Sequence, residues 1–310
     1  MQLSCGARRW ARELLAHNVI QERNQMSMSR RKFIGGSSAL LALAGCGVPF
    51  QKSFNGHDRK KGIAGAAPLA SNLITSWYYN WSPKPSTVGM PTTSPSIQYF
   101  PMVWGWYPKT SPQLLQTLST EHLSILLGFN EPDNVKQSNI PVETAIAAWP
   151  QLQGIARELV SPAAAHPLGP WMQTFMNAVE QQNLQVDAVA VHSYGGIDTE
   201  AFLTMLNNVH DLYQRPIYVT EFAVADYQAV NGKPNQYSVE QVAEFMGTVC
   251  QAMDKLSWVK GYAWFPTASP NSNALATSVL FNSDGTLNDL GKLYAVLSPA
   301  NDIALEHRFG

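Results

Sequence analysis

The chain has few charges, few cysteines and no long hydrophobic run, and these shortages exclude several classes of protein. Charged residues make up 14% of the 310 residues, and 21 basic against 22 acidic side chains leave a net charge of −1. This balance offers no basic surface for nucleic acid. The three cysteines, Cys5, Cys46 and Cys250, are too few for a disulfide framework.

Several short motifs of cofactor and metal chemistry are also missing. No predicted strand is followed by Gly-x-Gly-x-x-Gly or a Walker-type loop, which argues against a nucleotide. No His-x-x-x-His or Cys-x-x-Cys pair supplies a metal site with the usual spacing. Ser193 lacks the Gly-x-Ser-x-Gly setting of a serine esterase. We therefore expect no cofactor and no metal, and a neutral or weakly polar partner.

The segment before residue 47 is predicted to be an export signal. Ser29–Ile34 reads SRRKFI and resembles a twin-arginine signal, and the apolar stretch Gly35–Ala44 after it is too short to cross a bilayer. Leu43–Cys46 reads LAGC and resembles a bacterial lipobox, in which the cysteine receives the lipid. Residues 28–46 are therefore predicted to be a signal peptide ending at Cys46. The alternative is a simple membrane-seeking apolar helix.

The neighbouring segments follow from this prediction. Residues 1–27 make little sense ahead of a signal, so we expect translation to start after them. Residues 47–71 contain few large apolar side chains and are predicted to be a flexible tether. The folded domain is predicted over 72–298, with a tail at 299–310. We expect a monomeric bacterial protein of the cell envelope, on its periplasmic or surface side, that touches a membrane only through its lipid anchor.

From Asn72 onward, short β-rich runs alternate with helical periodicity, which predicts a parallel sheet wrapped by helices. The predicted strands are 73–79, 97–104, 124–129, 158–161, 187–192, 216–220 and 259–265. The predicted helices are 112–118, 142–156 with a break at Pro150, 171–182, 200–213 and 239–255. An eighth strand is best sought in the Pro- and Ser-rich stretch 82–96. We predict an α/β fold, a compact (β/α)8 TIM-type barrel with one poorly defined early strand.

Polar residues concentrate at the carboxyl ends of these runs, where barrels place their active sites. The residues concerned are Asn130, Glu131, His192, Tyr194, Glu221 and Trp264. A lone strand-end glutamate most often pairs with a loop arginine. Two of them in this setting favour glycosidic hydrolysis, which needs one protonated and one ionised carboxyl group.

Four strings carry a resemblance to a known family: WYYNW at 77–81, FPMVWG at 100–105, LGFNEPD at 127–133 and TEF at 220–222. Over residues 72–297 they resemble glycoside hydrolase family 128, small clan A barrels that act on β-1,3-glucans. The resemblance implies an acid/base at the end of the fourth strand and a nucleophile at the end of the seventh. The strand count agrees if one strand is missing among the first three.

The resemblance also implies roles. Glu131 would be the acid/base and Glu221 the nucleophile of a retaining mechanism, with carboxyl groups roughly 5 to 5.5 Å apart. Asn130 would bond the 2-hydroxyl of the sugar at the cleavage site. Tyr194 would steady the nucleophile with His192 nearby, because side chains two apart on a strand point the same way. The remaining substrate-binding candidates, several of which could instead cap the barrel core, are Tyr78, Trp104, Trp106 and Trp264.

The resulting expectation is an exported enzyme that cleaves a polysaccharide, most specifically within β-1,3-glucan chains. One alternative is a surface lipoprotein that binds glucan without cleaving it, although the intact glutamate pair argues against this. Another is a barrel hydrolase of a different polysaccharide, because the catalytic pair sets the reaction and not the sugar.

Overall fold

The computed structural model describes residues 60–65, 67–85, 97–230, 232–267 and 272–297. The predicted leader, signal peptide, Cys46 and C-terminal tail lie outside these residues, as do the tether up to residue 59 and most of the stretch 82–96. Among the residues described, no helix combines the length and the apolar character needed to cross a membrane.

The described residues form eight strands, each followed along the chain by a helix except for the second. The strands are β1 (Lys61–Ala64), β2 (Trp77–Tyr79), β3 (Gln98–Tyr99), β4 (Leu123–Leu127), β5 (Ala156–Val160), β6 (Val189–Gly195), β7 (Ile217–Val224) and β8 (Val259–Trp264). The helices are α1 (Ala67–Asn72), α2 (Ser111–Ser119), α3 (Val142–Ala148), α4 (Pro170–Gln182), α5 (Thr199–Tyr213), α6 (Val239–Lys255) and α7 (Asp289–Val296).

The strands follow the cyclic order of a (β/α)8 barrel, which confirms the predicted fold class. Six strands pair in the order β3-β2-β1-β8-β7-β6, and β4 pairs with β5. Every pairing between strands is parallel. Two parallel bridges join the two sheets, Met102 to Leu127 and Val160 to Ala188. Glu131 therefore follows the fourth strand and Glu221 lies on the seventh, as expected.

The eighth strand is β1, which lies inside the segment predicted to be a flexible tether. That prediction was wrong from Lys60 onward, and the domain begins at least eleven residues earlier than residue 72, since β1 starts at Lys61. The residues described within 82–96, namely 82–85, form no strand. β1 pairs with β2 on one side and β8 on the other, and thus joins the beginning of the barrel to its end.

Two lysines explain how so polar a segment is held in the barrel wall. The Lys60 ammonium donates to three carbonyls at the end of α6, at 2.7 to 3.0 Å. The buried Lys61 ammonium donates to the carbonyls of Tyr294 and Ala295 in the last turn of α7, at 2.7 and 2.9 Å. A cation at a helix C-terminus satisfies carbonyls that lack helical partners and offsets the negative end of the helix dipole.

Large aromatic side chains pack inside the barrel because small residues on neighbouring strands leave space for them. A Cβ atom on Gly62 of β1 would lie 2.3 Å from the Trp77 ring. A Cβ atom on Gly261 of β8 would lie 2.8 Å from the Tyr218 ring. Neither clash could be relieved without moving a buried ring, so both glycines are needed for this packing.

Candidate active site

Glu131 leaves the barrel wall through an unusual backbone turn at the end of β4. Its φ of 41° lies in the left-handed region, which is unfavourable by roughly 1–2 kcal/mol for a residue other than glycine. The turn is fixed because the Glu131 amide donates to the Ala163 carbonyl at 2.8 Å, and the Asn130 amide to the Trp104 carbonyl at 2.9 Å. Strain of this kind persists where the surroundings hold it, often at functional sites.

Glu221 lies within β7, where every residue is buried. Its Oε1 accepts hydrogen bonds from the Tyr79 hydroxyl at 2.7 Å and from the Trp81 indole at 2.8 Å. Its Oε2 accepts one from the Tyr194 hydroxyl. The expected contact between Tyr194 and Glu221 is therefore present, and three neutral donors surround the carboxylate. Donors in this number suit an ionised group.

His192 lies between the two glutamates. Its Nδ1 is 3.0 Å from Glu131 Oε1. Its Nε2 is 3.4 Å from Glu221 Oε1 and has no hydrogen-bond partner among the described residues. One carboxylate oxygen of each glutamate and one ring nitrogen all lie within 4.8 Å of one another. The prediction that His192 and Tyr194 face the same side of β6 is correct, because both reach the glutamate pair.

The charges of this group are coupled. Burial acts to raise the pKa of Glu131, but the hydrogen bond and positive charge of His192, helped by a hydrogen bond from Asn134, bring it below its usual value. Burial acts to lower the pKa of His192, but the negative charges of Glu221 and Glu131 outweigh burial and raise it. His192 thus favours the ionised form of Glu131, and the two glutamates favour the protonated form of His192.

Asn130 offers a free acceptor beside the pair. Its amide nitrogen donates to Gln137 Oε1 at 3.3 Å, while its Oδ1 is buried and has no hydrogen-bond partner in the part of the chain that the structure describes. A buried polar atom without a partner is costly unless a ligand or water completes it. The position of this oxygen is compatible with the predicted contact to a sugar hydroxyl.

Comparisons with known proteins agree with this geometry. A family model described as the glycosyl hydrolase catalytic core matches residues 56–294. The crystal structure of an endo-β-1,3-glucanase of GH128 subgroup I from Amycolatopsis mediterranei, in complex with laminaritriose, is 31% identical with a TM-score of 0.65. The match covers 76% of this chain and 98% of that one. The chain belongs to glycoside hydrolase family 128. It is a glycoside hydrolase built on a TIM-type barrel.

Two further family 128 structures are similar. An endo-β-1,3-glucanase of subgroup II from Pseudomonas viridiflava is 28% identical, with a TM-score of 0.62 over 77% of this chain and 97% of its own. An oligosaccharide-binding protein of subgroup VII from Trichoderma gamsii is 28% identical, with a TM-score of 0.60 over 80% and 95%. No curated protein sequence matches the chain.

Two of the aromatic side chains predicted to bind sugar rings, Trp104 and Trp106, are only partly buried. Trp104 is half-buried and packs against the aromatic and aliphatic side chains of the barrel interior. Trp106 is half-buried, and its ring centre lies 6.3 Å from that of Phe129. Both follow β3 at the end of the barrel that carries Glu131, and part of each side chain is exposed.

Trp264 and Tyr78 were wrongly predicted to bind substrate. Trp264 is fully buried, its indole donates to the Ser278 carbonyl at 2.8 Å, and its ring packs on Phe222 and Tyr294. Tyr78 is 3% exposed and packs on Tyr99. The reason is the alternation of side chains along a strand. The neighbours of both residues face the barrel interior, so these two rings point outward.

Sequence reasoning missed four residues of this site. They are Tyr79 and Trp81, which donate to Glu221; Asn134, which donates to Glu131 at 2.8 Å; and Phe265, whose ring lies 5.6 Å from Tyr194 and 5.8 Å from Trp81. A signal was present for two of them. Trp77, Tyr79 and Trp81 are spaced two apart, so a strand that places one of them inside the barrel favours the same face for the others.

The only described group of histidine, cysteine or acidic residues close enough to ligate a metal ion is Glu131, His192 and Glu221. Glu131 and His192 already form a hydrogen bond with each other. A cation at this point would have to break that bond, so the arrangement suits a shared proton better than a metal ion.

Proposed function

We propose that this protein is a retaining endo-β-1,3-glucanase of the bacterial cell envelope. The observation that carries the proposal is the close approach of Glu131 and Glu221, since one carboxylate oxygen of Glu131 lies within 4.8 Å of one carboxylate oxygen of Glu221. Retaining enzymes keep their carboxyl groups roughly 5 to 5.5 Å apart, whereas inverting enzymes leave roughly 6.5 to 9.5 Å for a water molecule. The separation in this protein supports the retaining class.

In this mechanism Glu221 attacks the anomeric carbon while Glu131 gives a proton to the departing glycosidic oxygen. Water then attacks the same carbon and loses a proton to Glu131, and the bond to Glu221 breaks. Glu131 must hold a proton for the first step and be ionised to accept one in the second. Its Oε1 lies 3.0 Å from His192 Nδ1, a titratable group that adjusts its proton affinity.

The proposed substrate rests on the relatives and on the aromatic side chains. The Amycolatopsis mediterranei and Pseudomonas viridiflava proteins are endo-β-1,3-glucanases, and the former binds laminaritriose. Half-buried rings at Trp104 and Trp106 suit the apolar faces of glucosyl units. Asn130 Oδ1, which no described residue contacts through a hydrogen bond, is an acceptor for the 2-hydroxyl, and this contact strengthens as positive charge develops at the anomeric carbon.

A second candidate function is binding without cleavage, because the Trichoderma gamsii relative is an oligosaccharide-binding protein. The surroundings of Glu131 and Glu221 favour catalysis. Three donors hold Glu221 and two side chains contact Glu131. A pure binding site does not need a carboxylate pair placed at the separation that hydrolysis requires.

The proposed location rests on the sequence alone. The twin-arginine-like stretch and the lipobox ending at Cys46 support export and a lipid anchor. Labelling of expressing cells with a palmitate analogue should mark the wild-type protein and not Cys46→Ser. Equal labelling of both proteins would remove the anchor from the proposal.

The catalytic proposal is tested by the release of reducing ends from a linear β-1,3-glucan. Wild type should shorten the polymer rapidly, while Glu131→Gln and Glu221→Gln should lose activity by at least about a thousandfold. Parallel assays on a β-mannan and a mixed-linkage glucan identify the preferred sugar. Binding of the β-1,3-glucan without release of reducing ends would support the binding protein, and unchanged activity in Glu221→Gln would remove Glu221 as nucleophile.

A further inference from the structure

The two oxygens of Glu221 have different surroundings. Oε1 accepts two hydrogen bonds, from the Tyr79 hydroxyl and the Trp81 indole, and the ring of His192 lies 3.4 Å from it. Oε2 accepts one bond, from Tyr194. A carboxylate oxygen has two lone pairs in the plane of the group. Among the described residues, donors occupy both lone pairs of Oε1 and one lone pair of Oε2.

Trp81 reaches Glu221 through a backbone conformation that is unfavourable for tryptophan. Its φ of 58° lies in the left-handed region, just after the end of β2. The residues on either side fix the turn. The Tyr99 hydroxyl lies within hydrogen-bond distance of Asn80 Oδ1 and the Ser82 carbonyl, and the Met102 amide donates to that same carbonyl at 3.0 Å. Strain held from both sides in this way is typical of positions with a functional task.

We propose that Tyr79 and Trp81 are positioning residues that hold Oε1 of Glu221, so that Oε2 is the atom that attacks the sugar. The inference rests on the proposed retaining mechanism. In the first step the Oε2–carbon bond forms, the bond from carbon to the leaving oxygen breaks, and Glu131 supplies the proton to that oxygen. Oε1 then becomes the carbonyl oxygen of the glycosyl ester, and its two donors stay satisfied.

The same two donors assist the second step. Water attacks the anomeric carbon and gives a proton to Glu131, the Oε2–carbon bond breaks, and its electron pair returns to Glu221. Negative charge then develops on the carboxylate, and donors already aimed at Oε1 stabilise it without rearrangement. Removing either donor should therefore slow the second step through loss of this stabilisation and the first step through loss of the orientation of Oε2, while leaving the binding of substrate largely unchanged.

The test uses Tyr79→Phe and Trp81→Phe, which remove one donor each and keep an aromatic ring. We expect kcat on a linear β-1,3-glucan to fall about ten- to a hundredfold, as for a hydrogen bond to a charged group, with KM within about twofold of wild type. Trapping by a 2-deoxy-2-fluoro-β-laminaribiosyl fluoride, followed by intact-protein mass spectrometry, should slow by a similar factor. Reactivation of the trapped protein with laminaribiose should slow as well.

Two matched variants control for the loss of a buried donor. Trp171→Phe removes an indole bond to the Ile140 carbonyl at 2.9 Å, and Tyr262→Phe removes a hydroxyl bond to Asp254 Oδ1 at 3.1 Å. Neither residue contacts Glu131 or Glu221, so kcat should stay near that of wild type. Thermal unfolding of all four variants shows whether each is folded, and Tyr79→Phe decides the question if Trp81→Phe does not fold.

Three outcomes would overturn the inference. Wild-type kcat in both site variants, with Glu221→Gln inactive, removes the positioning role and leaves the proposed function intact. A raised KM at unchanged kcat makes Trp81 a sugar-binding surface instead. Absence of hydrolysis by the wild-type protein on every polysaccharide tested removes the proposed function, and this inference falls with it.

Discussion

Glu131 and Glu221, the two proposed catalytic residues, differ in the chemical character of their partners. Glu221 receives its hydrogen bonds from two tyrosines and a tryptophan, which are neutral and keep their protons throughout. Glu131 contacts an imidazole at 3.0 Å and the amide of Asn134 at 2.8 Å. The hydrogen bonds to Glu221 come from groups that keep their protons, whereas Glu131 is hydrogen-bonded to a group that can gain or lose one.

This difference matches the tasks of the two carboxyl groups. A nucleophile stays ionised until it attacks, so fixed donors suit it. An acid/base must be protonated in one step and ionised in the next, so a titratable neighbour allows its proton affinity to change. Because His192 lies between the two, esterification of Glu221 removes a negative charge that had raised the pKa of His192. The imidazole thereby connects the state of one glutamate to that of the other.

The largest effects are expected when each glutamate is replaced by alanine in turn and a small anion is added in place of its carboxylate. Glu131→Ala and Glu221→Ala should each lose at least about a thousandfold in activity on glucan. With an aryl β-laminaribioside and added azide, both should regain turnover with opposite stereochemistry. Glu131→Ala still forms the glycosyl ester, so azide attacks from the opposite face and gives the β-azide. In Glu221→Ala azide occupies the place of the nucleophile and gives the α-azide.

Product configuration is read by NMR. Exchange of the two anomers between the variants would reverse the assignment of roles, and the same anomer from both would contradict a double displacement. Glu180→Ala serves as the control because Glu180 pairs with Arg215 on the exposed end of α4. Its activity should stay at the wild-type level with no azide product.

His192→Asn should give the next largest effect, a loss of about a hundredfold in kcat/KM. It also removes the positive charge and the hydrogen bond of His192, which lower the pKa of Glu131, so that burial, which raises it, is opposed by the Asn134 hydrogen bond alone. The general acid works only when protonated, so activity falls as pH rises through the pKa of Glu131. A higher pKa should therefore move the alkaline limb of the kcat/KM profile to higher pH.

The control for this change is His210→Asn. The His210 imidazole bonds the Arg215 carbonyl at 2.9 Å and stacks on Trp258, away from both glutamates. Its pH profile should superimpose on that of wild type. An alkaline limb that stays in place in His192→Asn, or moves to lower pH, would mean that His192 does not set the proton affinity of Glu131.

The barrel and the positions of both glutamates were predictable because they depend on patterns that each strand carries by itself. Apolar runs ending in polar residues identified seven strands, and counting them placed Glu131 and Glu221 correctly. The strand β1 was missed because its stability comes from distant partners. Lys60 and Lys61 hold it by capping α6 and α7, and the carbonyl groups that they contact lie 196 and 233 residues further along the chain. No local sequence pattern predicts contacts over such separations.

The errors at Tyr78 and Trp264 have a different cause. Both lie in the correct strands, but each is one position from a residue that faces the barrel mouth, and a shift of one residue reverses the face of a strand. Tyr79 and Phe265 are the neighbours that reach the site. Strand location follows from composition, whereas the inward face follows from packing, here from the space that Gly62 and Gly261 leave for Trp77 and Tyr218.

Asn134→Ala should give the smallest effect on activity. It shows whether an uncharged neighbour of Glu131 lowers the pKa of Glu131 as His192 does. The Asn134 amide donates to Glu131 Oε2 and lowers the pKa of Glu131, as His192 does, but without a charge. Its loss should lower kcat/KM by about three- to tenfold and move the alkaline limb to higher pH, by less than in His192→Asn. Asn207→Ala, which removes an exposed amide bond on α5, should change neither. A larger shift of the alkaline limb in Asn134→Ala than in His192→Asn would show that a neutral hydrogen bond sets the pKa of Glu131. The contrast between fixed and titratable partners would then no longer explain why one glutamate is the acid/base and the other the nucleophile.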